Sequence, residues 1–305
     1  KAKCLNGKTI AFSAFSHMHS PFILYLLKIS AITPLYHFSS FPCYNSAVAE
    51  LSDTITFLGT AGARFVVARQ FLASGGAWLN LGDTQILLDP GPGSLVQAAR
   101  RKLDATKLEA IILSHRHLDH SGDINIMIEA MTDGGTKKRG TVFAPGDALN
   151  QDPVILSYLQ SYPQSIQVLT EGGSYVINDV SFKTPIRHKH PVETYGFIFQ
   201  TPRHTFSWIT DTRYFEDLAD HYEGDLLVIN VVRLNPGAPI DHLALPEARS
   251  IIEELRPKIA ILTHFGMTMW RAKPWELAEK LSEETGVSVI AARDGMKFDL
   301  AKLEG

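Results

Sequence analysis

Ser114-His115-Arg116-His117-Leu118-Asp119-His120-Ser121-Gly122 follows the apolar run Ala110-Ile111-Ile112-Leu113, so three imidazoles and a carboxylate crowd into the end of a buried strand. Neutral imidazole nitrogen and carboxylate oxygen are the ligands that borderline divalent ions such as zinc prefer. His115 and His117, at i and i+2, can reach one ion from an extended segment. Asp119 and His120, pointing elsewhere as the chain turns, can reach a second. A His-rich loop kept only for solvation would need neither this spacing nor so apolar a strand before it. Four ligands do not fill two catalytic shells, so more His and Asp are expected downstream.

Three further candidates stand at strand ends, where ligands borne by a sheet converge. His190, in Thr184-Pro185-Ile186-Arg187-His188-Lys189-His190-Pro191, precedes an expected strand over 195–201. Asp211 ends Phe206-Ser207-Trp208-Ile209-Thr210, and His264 ends Ile259-Ala260-Ile261-Leu262-Thr263. With the opening cluster they make seven ligands, enough for two ions joined by one shared carboxylate. His204 and His221 have no such context and are expected at the surface.

The chain has 305 residues, 45% of them hydrophobic, and a formal net charge of −3. That composition fits a globular protein with an ample core and gives no global attraction to nucleic acid or an anionic membrane. Arg100-Arg101-Lys102 and Lys137-Lys138-Arg139 are read as solvated faces. Cys4 and Cys43 both lie outside the motif-bearing region, so neither a disulfide framework nor a cysteine zinc site is expected. Residues 1–52 differ in texture: one acidic residue, Glu50, many Ser, Phe and Tyr, and an apolar stretch from Pro21 to Pro34 broken by Lys28. That stretch is too short to span a bilayer, which takes about 20 apolar residues. Ser40-Phe41-Pro42-Cys43-Tyr44-Asn45 offers no small-residue cleavage site of the secretory kind. A poorly ordered extension outside the functional domain is expected over 1–52, and its His17, His19 and His37 are left out of the site.

From Asp53 the texture becomes regular. Ile55-Thr56-Phe57-Leu58 reads as a strand ending in Gly59-Thr60-Ala61-Gly62, a turn and not a phosphate loop because no Lys-Ser/Thr follows. A hairpin is expected over 77–88 around Gly82-Asp83, then a helix over 94–102 capped by Ser94, and a helix over 123–131. Strands follow at about 166–169, 174–178, 180–186, 195–201, 205–210 and 225–231. Helices over 244–255 and 274–285 alternate with strands over 258–263 and 287–291. Early strands followed by late strand–helix alternation predict an α/β protein of two packed sheets with helices on their outer faces.

On these motifs the chain resembles the metallo-β-lactamase superfamily, in its phosphodiesterase branch of PhnP-like and ribonuclease Z-like proteins, over residues 53–299. The resemblance rests on Leu58-Gly59-Thr60-Ala61-Gly62, Leu88-Asp89-Pro90-Gly91, the opening motif, and the His190 segment leading into Tyr195-Gly196-Phe197. It rests also on Thr210-Asp211-Thr212, Asp241-His242-Leu243, Thr263-His264-Phe265-Gly266 and Asp294-Gly295-Met296. It implies a four-layer αββα fold of two mixed sheets, with a catalytic domain over 53–305. It also implies that His115, His117 and His190 hold one metal, that Asp119, His120 and His264 hold the other, and that Asp211 bridges them. His188 is the competitor for His190, which the resemblance selects because Gly196 stands six residues after it.

The expected chemistry is phosphodiester hydrolysis by a hydroxide bridging two divalent metal ions, zinc first, with manganese or iron as alternatives. The catalytic candidates are Asp119, Asp211 and His242, the last as a donor to the departing oxygen or, alternatively, only as part of a helix N-terminal region. Asp89 either accepts a hydrogen bond from a ligand histidine and holds its tautomer, or only shapes a turn. Met267, Met269, Trp270 and Trp275 either wall the pocket to stack on a base or pack the edge of the core. Ribonuclease Z-type enzymes carry a tRNA-gripping arm between the ligands corresponding to His190 and Asp211. Here only residues 191–210 intervene, room for two strands and a turn. A small or cyclic phosphodiester is therefore the expected substrate. A ribonuclease Z-like endonuclease acting on RNA and a thioesterase or glyoxalase II-like hydrolase are the alternatives, and a metal-binding scaffold without catalysis is disfavoured by the intact ligand set. The expected setting is cytoplasmic, without membrane contact, and a homodimer is left open.

Overall fold

The computed structural model describes residues 53–150, 152–237 and 240–304. The extension expected over 1–52 lies outside them. The first sheet takes β1 (Thr54–Phe57), β2 (Ala77–Leu81), β3 (Thr84–Leu88), β4 (Ala110–Ile112), β5 (Thr141–Ala144) and β6 (Ser165–Val168). The second takes β7 (Gly173–Ile177), β8 (Val180–Thr184), β9 (Phe197–Gln200), β10 (Thr205–Ile209), β11 (Leu226–Asn230), β12 (Ile259–Thr263) and β13 (Ser288–Ala291). The closing strand β14 (Lys297–Asp299) returns to the first sheet beside β1. The spatial orders are β14-β1-β2-β3-β4-β5-β6 and β13-β12-β11-β10-β9-β8-β7. Both sheets are mixed, with antiparallel pairing up to β3 and up to β10 and parallel pairing beyond.

The central strands are apolar on both faces because both faces are covered. In β4, Ala110 and Ile112 point between the sheets and Ile111 points outward to the helices. In β11, Leu226 and Val228 point inward while Leu227 and Ile229 point outward. This period-two division makes three apolar layers. Helices Ser94–Arg100 and Ile124–Met131 cover the first sheet, the second of them through Ile124, Met127, Ile128 and Met131 at helical spacing. Leu245–Leu255 and Pro274–Thr285 cover the second sheet through Ala248, Ile251, Ile252, Ala278 and Leu281. The four-layer αββα arrangement expected from the sequence is thus present. No helix among the described residues is long and apolar enough to cross a membrane.

Several local expectations are corrected. Ser94 is the first residue of its helix and not its cap; its hydroxyl donates to the Gly91 carbonyl instead, 2.8 Å away. His204 is buried and not at the surface, lying near the carboxylates of Asp53 and Glu304. The short elements β5, β14 and helices Ala63–Arg69, Leu118–Ser121, Gly146–Leu149 and Met267–Arg271 escape a periodicity reading because few of them complete more than one or two repeats.

Parallel strands deliver their C-terminal ends to one edge, where ligands of α/β sheets collect. Asp89 follows β3, the His115–His120 segment follows β4, Asp211 follows β10, Asn230 ends β11 and His264 follows β12. Segment 191–210 holds only the β9–β10 hairpin, closed by a turn in which Thr201 Oγ1 accepts from the His204 amide at 2.9 Å.

Candidate metal centre

Seven side chains from four stretches of the sequence meet at that edge in two clusters. His115, His117 and His190 form one, and Asp119, His120, Asp211 and His264 the other, with the ligand atoms of each within 4.8 Å of one another. All seven residues singled out in the sequence are brought together; His188 is not among them. His115, His120, Asp211 and His264 are buried, while His117, Asp119 and His190 are half-buried on the solvent side.

Hydrogen bonding around the rings decides where their lone pairs point. His120 Nδ1 lies 2.9 Å from Asp89 Oδ2, and a carboxylate only accepts, so Nδ1 carries the proton. Nε2 of His120 then faces Asp211 Oδ2 and His264 Nε2, each 3.2 Å away. Ser114 Oγ donates to Asp89 Oδ2 at 2.7 Å, which leaves it to accept from His115 Nδ1 at 3.0 Å. His115 Nε2 is therefore a bare acceptor, buried and without a partner. His190 Nδ1 donates to the Asp241 carbonyl at 2.8 Å, leaving its Nε2 to face His117 Nδ1 at 3.1 Å. Imidazole nitrogens and carboxylate oxygens converging this closely call for positive charge between them, a proton on His120 in the metal-free protein or a bound cation. An all-His/Asp set with its outer nitrogens so engaged fits divalent metal ions.

Asp211 joins the clusters. Its Oδ2 is 3.2 Å from His120 Nε2, 3.4 Å from His242 Nδ1 and 3.7 Å from His115 Nε2. Its Oδ1 accepts from Asn230 Nδ2 at 2.9 Å. Asn230 was not singled out in the sequence, although it ends an apolar run, Leu226-Leu227-Val228-Ile229, just as Asp211 and His264 do. Burial disfavours the Asp211 anion, but His264, His242 and His120 outweigh it and hold the carboxyl well below its usual range. Burial likewise opposes the His120 imidazolium, and Asp211, Asp89 and Asp119 overcome it, raising that ring well above 6.5. His115 goes the other way: burial and the neighbouring His120 push it well below.

Backbone conformation supports the same edge. His264 has φ 61° and Asp89 φ 51°, left-handed values that cost non-glycine residues of order 1–3 kcal/mol unless their surroundings enforce them. Around His264 they do: Phe265 N donates to Thr60 O at 2.7 Å and Gly62 N to Phe265 O at 3.0 Å. A Cβ on Gly62 would stand 2.2 Å from the His264 carbonyl, so glycine is required there. The Gly59–Gly62 segment is thus a buttress for His264, and Asp294 clamps it from behind.

His242 lies beside the centre, its Nδ1 buried without a hydrogen-bond partner. Burial lowers its pKa. Asp89 takes the first of its two expected roles, accepting from His120 as well as from Ser114 N at 2.6 Å. Trp270 stacks on Phe71 at 4.9 Å, and Met269 is buried in the core. His188 points away from the clusters toward Tyr222 Oη, 2.6 Å distant.

Fold and site together define a metal-dependent hydrolase of the metallo-β-lactamase fold. Residues 84–265 match the β-lactamase superfamily domain, and the chain belongs to that family. The uncharacterized protein MJ1374 of Methanocaldococcus jannaschii is 32% identical over 254 residues, 81% of this chain and 94% of that protein. A ribonuclease Z of Kineococcus radiotolerans is 31% identical over 94 residues, 31% of this chain and 29% of the enzyme. Among solved structures, the metallo-β-lactamase fold protein YhfI from Bacillus subtilis superposes with a TM-score of 0.67 at 21% identity, covering 81% of this chain and 98% of that one. A diphosphatase of the PhnP family superposes with a TM-score of 0.61 at 20% identity, covering 81% and 97%.

Proposed function

We propose that the chain is a dinuclear metal-dependent phosphodiesterase acting on a small or cyclic phosphodiester, with residues 53–305 as its catalytic domain. The observation that carries this reading is the Asp211 carboxylate, one oxygen of which lies 3.2 Å from His120 Nε2 and 3.7 Å from His115 Nε2. His115, His117 and His190 would hold one ion, Asp119, His120 and His264 the other, and Asp211 both. Zinc is the first choice for imidazole and carboxylate without thiolate, with manganese and iron also accepted by such donors. When bound, two such ions acidify water toward a pKa of about 7 and offset the charge of phosphoryl oxygens.

The chain's own groups supply orientation and the proton. Asp89 and the Asp241 carbonyl keep the His120 and His190 lone pairs directed inward, and Asn230 holds one Asp211 oxygen so that the other stays available. His242 delivers a proton to the departing oxygen: it stands beside the centre, its Nδ1 3.4 Å from Asp211 Oδ2, and burial weakens its hold on a proton.

A ribonuclease Z-like action on RNA is the second reading, favoured by the similarity to ribonuclease Z in the region of 94 residues noted above. The short β9–β10 turn, which leaves no room for a tRNA-gripping arm between His190 and Asp211, and the net charge of −3 favour the small substrate. Metal analysis, then hydrolysis of bis(p-nitrophenyl) phosphate, 2′,3′-cyclic nucleotides and a precursor tRNA, with His117→Ala as control, tests both. Cleavage of the cyclic nucleotides with an inert tRNA is expected. Preferred cleavage of the precursor tRNA would replace the first reading by the second, and absence of metal or an unimpaired His117→Ala variant would remove both.

A further inference from the structure

We propose that Tyr222 and His188 form a buried positioning pair that holds the Asp211 and His190 loops in metal-binding register. The inference rests on the two-metal reading and concerns residues outside both ligand clusters. Tyr222 is 5% exposed and His188 3%, and Tyr222 Oη lies 2.6 Å from His188 Nε2. On its other side, His188 Nδ1 is 3.2 Å from the Asp211 carbonyl oxygen and 3.2 Å from Thr210 Oγ1. The Thr210 hydroxyl spends its hydrogen on the Tyr195 carbonyl, 2.7 Å away.

Both neighbours of Nδ1 are therefore acceptors, and Nδ1 carries the proton. Nε2 is left as the acceptor, so the Tyr222 hydroxyl donates to it. The chain of donors runs one way, from Tyr222 through His188 to the backbone of Asp211. Two further bonds fasten the segments: Lys189 N donates to Thr212 Oγ1 at 3.2 Å and Arg213 N to Lys189 O at 3.0 Å. His188 thus sits at the centre of a short seam between a ligand of one cluster, His190, and the carboxylate shared by both, Asp211.

The pair also accounts for the glycine of the Tyr195-Gly196 step. A Cβ at Gly196 would lie 2.2 Å from Tyr222 Oη and 2.8 Å from His188 Nε2. A buried polar pair with every donor and acceptor satisfied specifies one arrangement of its surroundings, whereas apolar filling of the same volume would tolerate several.

Equilibrium dialysis and chelator competition, read by elemental analysis, on the wild type and on Tyr222→Phe, His188→Leu and His188→Asn test the pair. Asn can keep a donor on the Asp211 carbonyl; Leu cannot. The expected result is metal affinity about 10–100-fold weaker in His188→Leu, as for other groups that orient metal ligands. Tyr222→Phe is expected to be weakened in the same direction, and His188→Asn to recover most of the loss. The Co2+-substituted absorption spectrum is expected to shift in the weakened variants, which a purely structural role would not produce in folded protein. Should His188→Leu fail to fold, Tyr222→Phe, which removes one oxygen, decides. Wild-type affinity and an unchanged Co2+ spectrum in folded variants overturn the pair alone; absence of metal from the wild type overturns the two-metal reading with it.

Discussion

Asp89 Oδ2 stands 2.9 Å from His120 Nδ1, and the same carboxylate accepts from the amide and hydroxyl of Ser114. One acidic residue at the end of β3 therefore sets the tautomer of His120 directly and that of His115 through Ser114. Asp89→Asn puts an N–H where one of these donors needs an acceptor. Metal affinity is expected to fall about 10–100-fold, measured by chelator competition, and an unchanged affinity would show that His120 needs no such partner.

In the proposed mechanism His242 serves the chemical step and not metal binding. Replacing it by Ala is expected to lower kcat by about 10²–10⁴-fold, the range for a proton donor, with metal content per chain unaltered. Loss of metal in this variant would make His242 a ligand instead.

Metal removal has a pH signature. In the metal-free protein the His120 pKa is raised above its ordinary 6.5. Its pairing with Asp211 and Asp89 therefore stabilises the fold fully below 6.5, and that stabilisation is lost as pH rises through the higher folded-state value. Protons also compete with metal for His120, so binding strengthens over the same rise. The difference in Tm between metal-loaded and metal-free protein is accordingly expected to widen from pH 6.5 upward. A difference that narrows would contradict this protonation scheme.

Asp294 accepts from Thr60 N at 2.9 Å, Thr60 Oγ1 at 2.7 Å and Ala73 N at 2.7 Å. Asp294→Ala strips a charged acceptor from three donors and is expected to cost about 2–3 kcal/mol in denaturant unfolding. Because the clamped turn carries Gly62 against His264, metal affinity should fall as well. Stability loss with intact affinity would limit Asp294 to a fold role.

Much of this is legible in the sequence alone. The His115–His120 spacing announces metal binding because few other pressures concentrate three imidazoles and a carboxylate after a strand, and Asp211 and His264 are visible because each ends an apolar run. The same signal marks Asn230, but an amide is an unremarkable strand end, and only its contact with Asp211 Oδ1 gives it a role.

Sequence alone thus pointed to the layering and to the candidate donors, since strand periodicity and ligand chemistry are local properties of consecutive residues. Tertiary structure alone decided which side chains surround Asp211 and which ring nitrogens are engaged by hydrogen bonds, and it places His190, the residue the resemblance selects, and not His188 in the clusters. Those outcomes depend on contacts between residues tens to hundreds of positions apart, such as Tyr222 with His188 and His120 with His264. No local pattern encodes such contacts, because what brings them together is the packing of two sheets along one edge.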